Sequence, residues 1–89
     1  MSSPFEGLRE KLAADKDWPK IYMFKFIVPN DHQKLARAEA IFGSEAQISL
    51  RQSRTGKFVS LSAKELMISA DEVVGRYEEA NKIEGLISL

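Results

Sequence analysis

The chain has 89 residues, enough for one small domain that buries only roughly 60–65% of the surface its unfolded form exposes. It has no cysteine, which excludes disulfides and thiolate metal sites, and its 13 Lys and Arg balance 13 Asp and Glu, which argues against a dedicated nucleic-acid binder. Five Phe, two Tyr and one Trp must therefore supply the core of a domain that no covalent staple supports.

The start, Met-Ser-Ser-Pro-Phe-Glu, lacks the basic and apolar regions of a signal peptide. No apolar run approaches the ~20 residues of a membrane span. The expected setting is the cytoplasm. Charge is unevenly spread. Trp18 to Lys64 carries eight Lys or Arg against three Asp or Glu, and Glu65 to Leu89 carries two against six. One surface is thus expected to be mildly basic and another acidic.

Ser3-Pro4-Phe5-Glu6 predicts a helix start, with Ser3 as cap, Pro4 at the first helical position and Glu6 completing a capping box. Phe5, Leu8 and Leu12 fall on one face of that helix, and residues 1–17 read as an extension ahead of the main domain, 18–89. Ile21 to Val28 is the most apolar run and predicts a central strand. Tyr22, Phe24, Phe26 and Val28 point to one side, toward helices. Ile21, Met23, Lys25 and Ile27 point to a more open side.

Asn30 or Asp31 predicts the cap of a second helix whose buried stripe is Leu35, Ala38, Ile41 and Phe42, with Gly43 as its stop. Ala46 to Gln52 alternates, with Ala46, Ile48 and Leu50 inward. Ser53 to Lys57 is a tight turn with Gly56 as its left-handed residue, and Phe58 to Ala63 alternates again to complete a hairpin. Lys64 to Ile68 breaks the apolar alternation and suggests an extension or a bulge. Ser69-Ala70-Asp71-Glu72 is a second capping box. The helix after it buries Val73, Val74, Tyr77 and Ala80 and turns Arg76, Glu78, Glu79 and Lys82 to water. Leu86 to Leu89 is a last short strand.

The order β-α-β-β-α-β after a leading helix predicts an α+β, ferredoxin-like split βαβ fold. Its four-stranded antiparallel sheet carries two helices on one face. The Ile21–Val28 strand is then internal.

Several short motifs resemble a known family. They are aromatic-Pro (Trp18-Pro19), aromatic-x-aromatic-Lys (Tyr22 to Lys25) and the Ser-x-x-Gly-x-aromatic hairpin (Ser53 to Phe58). Val59-Ser60-Leu61-Ser62 and Tyr77-Glu78-Glu79 complete the set. Together they are similar to the YbeD-like family of small bacterial proteins, a domain of unknown function. Lys64 to Ile68 departs from the family pattern by about two extra residues. The resemblance implies a fold like that of ACT regulatory domains, a cytoplasmic bacterial setting, and no catalytic, cofactor or binding residues to transfer.

No residue pattern for catalysis, metal or cofactor stands out. His32, the one histidine, reads as an exposed helix-start residue beside Asp31. Arg51, Arg54 and Lys57 surround the hairpin turn, where free N–H groups would help hold an anion. Lys25, Met23 and Phe58 lie on the open sheet face. RNA-recognition domains of similar topology stack bases there, but Phe58 is its one aromatic and the glycine-aromatic strand pattern is absent. Glu78, Glu79 and Glu84 read as a solvated helix face.

The expected function is a non-enzymatic, ACT-like regulatory or interaction module. Its expected partners are a second copy, another protein on the sheet face or edge strand, or a small anionic or amino-acid ligand. Single-stranded RNA on the sheet is the alternative. The apolar part of the open face is expected to be covered partly by the first helix and partly by a second copy.

Overall fold

The structure, a computed structural model, describes residues 5–89. The elements are α1 (Glu6–Ala13), β1 (Lys20–Pro29), α2 (His32–Ala40), β2 (Gln47–Gln52), β3 (Phe58–Met67), α3 (Ala70–Asn81) and β4 (Ile87–Ser88). The strands form one antiparallel sheet in the order β2-β3-β1-β4. This is the ferredoxin-like arrangement with α1 added in front.

Strand β1 is central because both its sides are apolar. Phe24, Phe26 and Val28 are fully buried beneath the helices. The Phe24 ring centre lies 5.3 Å from those of Phe42 and Tyr77. Each such aromatic pair contributes about 0.5–1.5 kcal/mol beyond the area it buries. The Tyr22 and Tyr77 hydroxyls meet at 3.3 Å at the margin of this cluster. Burial, reinforced by the Tyr22 hydroxyl, holds the Tyr77 phenol well above its ordinary value of 10.0.

The helix starts follow their caps. Asp31 accepts the Lys34 N–H at 3.0 Å and opens α2. Ser69 accepts the Glu72 N–H at 3.2 Å and opens α3. The Glu72 carboxylate returns to the Ile68 N–H, one residue before the usual capping-box donor. Gly56 turns the hairpin at φ 76°, which only glycine adopts without strain.

The capping predicted for the first helix rests on Ser3 and Pro4, which lie outside the described residues. Phe5 occupies the cap position of α1 and makes no side-chain cap bond. The helix also lies on the other side of the molecule from its expected place. Phe5 stacks on Tyr77 at 5.8 Å, Arg9 reaches Asp71 at 3.5 Å, and Leu8 and Leu12 pack against the main core. Thus α1 extends the helical layer beside α3 and leaves the open sheet face bare. An amphipathic helix needs only one apolar surface, and the exposed flank of the aromatic cluster provided it.

Of the extension or bulge expected at Lys64 to Ile68, the structure has the extension: β3 runs on to Met67 without a bulge. β3 pairs with β1 without interruption from Pro29↔Phe58 to Lys20↔Met67. Strict alternation therefore sends Glu65 inward, where it is 8% exposed, and Leu66 outward. Glu65 is satisfied there. It accepts the Gly43 N–H at 2.8 Å and the Arg76 Nε–H at 3.0 Å. Arg76, expected to face water, is instead the counter-charge of a buried carboxylate.

The same carboxylate explains Gly43. α2 ends at Ala40, and Gly43 lacks the positive φ of a helix-stop glycine. A Cβ at Gly43 would stand 2.8 Å from Glu65 Oε2. Leu50 also departs from expectation. It points to the helix side but is 48% exposed, because β2 is the outer strand and the helices do not reach over it.

Two stability measurements check these contacts. Gly43→Ala should cost about 1–3 kcal/mol through crowding. Glu65→Ala should cost about 2–4 kcal/mol by stranding Arg76 and the Gly43 N–H. Urea titration of the double variant should show less than the sum, because the clash disappears with the carboxylate. The second concerns alkali. A phenol whose folded value is raised lends stability that is complete below its unfolded value and is lost as pH rises through the folded one. Stability should therefore decline above about pH 10, and Tyr77→Phe should flatten that decline.

Candidate functional site

The open sheet face is built by the outward parity of β1, β2 and β3. Its cross-strand rows follow from the register. Arg51, Ser60 and Ile27 form one row, Ser49, Ser62 and Lys25 the next, and Gln47, Lys64 and Met23 the third. Serines thus occupy the middle of the sheet, where β-branched or aromatic residues are favoured. A hollow of about 320 Å³ is lined by Lys25, Ile27, Ser49, Arg51, Ser60 and Leu89, among others. A second, of about 460 Å³, adjoins it and adds Met23, Gln47 and Lys64.

The electrostatics of this face are one-sided. Lys25, Arg51 and Lys64 are exposed, and none makes an ion pair among the described residues. No strand position on the face carries a carboxylate. The cations that do have partners lie elsewhere: Arg9 with Asp71, Lys20 with Asp15, Arg76 with Glu65 and Lys82 with Glu79. The Lys20 ammonium, followed by the Asp17 N–H, holds the Asp15 carboxyl below its ordinary value. Around the cation band lie exposed Ile21, Met23 and Leu66 at one end of the sheet and Ile87 and Leu89 on the β4 side.

Lys25, Met23 and Arg51 therefore share a surface. Arg54 and Lys57 do not belong to it. They sit in the hairpin turn, where several N–H groups are already used. The Gly56 N–H donates to the Ser53 carbonyl at 3.0 Å, the Lys57 N–H to Thr55 Oγ1 at 3.4 Å, and the Phe58 N–H to Ser53 Oγ at 3.1 Å. Asn30 holds the Gly56 and Lys57 carbonyls from the other side. These bonds spend part of the turn's donors within the turn itself. Phe58 is on the open face and 41% exposed, but it lines neither hollow.

Lys64 was not among the residues expected to act here. The hairpin register would have found it, since pairing Gln52 with Val59 carries Gln47 opposite Lys64. His32 is exposed at the start of α2, and Asp31 beside it is engaged as the helix cap. Glu78, Glu79 and Glu84 are exposed.

The edge strand expected to accept a partner is short. β4 pairs with Phe26 and Ile27, and the Leu89 N–H donates to the Lys25 carbonyl at 2.9 Å. Alternation then leaves the main-chain groups of Ile21 and Met23 facing outward beyond the end of β4.

These features define an α+β, ferredoxin-like domain with an open, cationic sheet face. Comparisons with protein-family models, curated proteins and solved structures each returned no match. Among the described residues, no helix is long and apolar enough to cross a membrane.

If the three open-face cations serve a ligand and not the fold, removing them should leave stability intact. Lys25→Ala, Arg51→Ala and Lys64→Ala should each change the unfolding free energy by no more than about 0.5 kcal/mol. Arg76→Ala, measured by the same urea titration, should be clearly destabilising.

Proposed function

We propose that the chain is a non-enzymatic regulatory module, ACT-like in kind, that takes a small anionic ligand on its open sheet face. The observation that carries this reading is the hollow that Lys25 and Arg51 line together with Ser49, Ser60 and Ser62, with no side-chain carboxylate in its lining. Cations and hydroxyls bind oxyanions, and no group in the hollow is required to move a proton. Ile27 and Leu89 at its rim supply apolar contact for the rest of a ligand.

Charge favours a ligand over a second copy on this face. A face-to-face dimer would bring the two cation bands together, and like charges in contact cost several kcal/mol in an interface. RNA on the sheet would require bases stacked on aromatics. The open-face aromatic, Phe58, stands outside both hollows.

Amide-resolved NMR titration tests the reading with a panel of amino acids, small phosphate esters and a short single-stranded RNA. Saturable shifts at Lys25, Ser49, Arg51, Ser60 and Ser62 with a small anion are expected. Shifts that centre on Phe58 and appear only with RNA would transfer the assignment to nucleic acid. If every probe leaves the open-face amides unmoved, the reading fails.

A further inference from the structure

Ser62 is the hub of the open face. Lys25 stands directly opposite it on β1 and Ser49 directly opposite on β2, at Cβ separations of about 5 Å. Arg51, which pairs with Ser60, is its diagonal neighbour, at about 7–8 Å. Lys64 and Ser60 flank it along β3, each about 7 Å away. Three cations from three different strands therefore surround one hydroxyl, all within the reach of a lysine or arginine side chain. Both hollows include Lys25, Ser49 and Ser62 in their lining, so the hub lies where they meet.

This arrangement gives the fold no intramolecular return. The cations repel one another, and no side-chain carboxylate is interspersed to relieve them, as it would be on a surface tuned for solubility alone. Ser49, Ser60 and Ser62 make no side-chain hydrogen bond among the described residues. Local rules broken without compensation inside a fold mark surfaces shaped by something outside it.

We infer that the three cations around Ser62 form a receptor for the phosphoryl group of a small, soluble phosphate monoester. The inference rests on the open-face binding reading and names its ligand class. The register sets donors on three strands around the hub, with hydroxyls between them. A tetrahedral oxyanion with three free oxygens uses all of them, and a planar carboxylate uses two directions at most. A phosphodiester offers only two free oxygens and a single charge. The apolar side chains Met23 and Ile27, diagonal to Ser62 on β1, lie on either side of Lys25 and receive the organic remainder.

The test uses the full chain and three amino-acid probes, O-phosphoserine, serine and aspartate, with inorganic phosphate and a short RNA as further arms. Binding is followed by amide NMR shifts at Lys25, Ser49, Ser62 and Lys64. O-Phosphoserine should saturate these shifts and bind at least about tenfold more tightly than serine or aspartate. Inorganic phosphate should displace it. Lys25→Gln, Arg51→Gln and Lys64→Gln should each weaken binding about five- to twentyfold. Arg54→Gln and Lys57→Gln at the hairpin tip should leave it unchanged. Equal binding of aspartate or indifference to Lys64→Gln would overturn the phosphoryl assignment while the open-face reading stood, and tighter binding of the RNA would overturn both. If no probe moves the open-face amides, both fall together. Should a Gln variant lose its folded spectrum, the conservative Lys25→Arg and Lys64→Arg variants, which keep the charge, are expected to retain binding.

Discussion

Phe24, Phe26 and Val28 on β1 face the helices together with Leu61, Ala63 and Met67 on β3, and the two strands pair over ten consecutive positions without a bulge. A one-residue slip of either strand would turn that entire set to solvent. The register of this central pair is therefore the constraint on which the other relations depend. It sets which side chains α2 and α3 cover. It also forces the complementary set, Lys25, Ser60, Ser62 and Lys64, onto the bare face. The core and the candidate site are two readings of a single parity.

Glu65 shows how strong that constraint is. Its inward position is unfavourable for an isolated carboxylate, and a bulge before it would have turned it to water. The strand does not bulge. The surrounding chain supplies a counter-charge from α3 and an N–H from the turn after α2, with glycine at position 43 giving the oxygen room. Leu66 and the neighbouring Ile68 are exposed as a consequence of the same parity. Buried ion pairs of this type add little net stability but are costly to break. Their effect here is to keep β3 straight through the segment that presents Lys64.

Most of the fold was legible in local pattern. The alternation of β1, the Gly56 turn and the Asp31 and Ser69 caps depend on residues within a few positions of each other, so the sequence displays them directly. What was not legible depends on distant partners. Glu65 interrupts the apolar alternation, and the groups that satisfy it lie 22 and 11 residues away. The apolar stripe Phe5, Leu8 and Leu12 announces a packed helix but not which face of the sheet it joins. For the candidate site, Lys25 and Arg51 were visible as cations on outward positions. Lys64 was obscured by the same apparent break that hid Glu65. The hairpin tip also offered cations for an anion, because a sequence does not show which N–H groups of a turn are already engaged.

The placement of charge separates stability from binding. Arg9, Lys20, Arg76 and Lys82 are paired with carboxylates on the helical side or at its margin. Lys25, Arg51 and Lys64, on the sheet side, make no ion pair among the described residues. The sheet between them is one layer thick, and alternation sends each strand residue to one side only. Substitutions on the open face therefore leave the helical packing untouched, while a ligand bound there contacts three strands simultaneously. Such a ligand neutralises cations carried by β1, β2 and β3, so it stabilises the folded chain by mass action without entering the core. On this account the signal of occupancy is a tightening of the sheet, strongest at β2, whose outer edge has no neighbouring strand and whose inward Leu50 lacks helix cover.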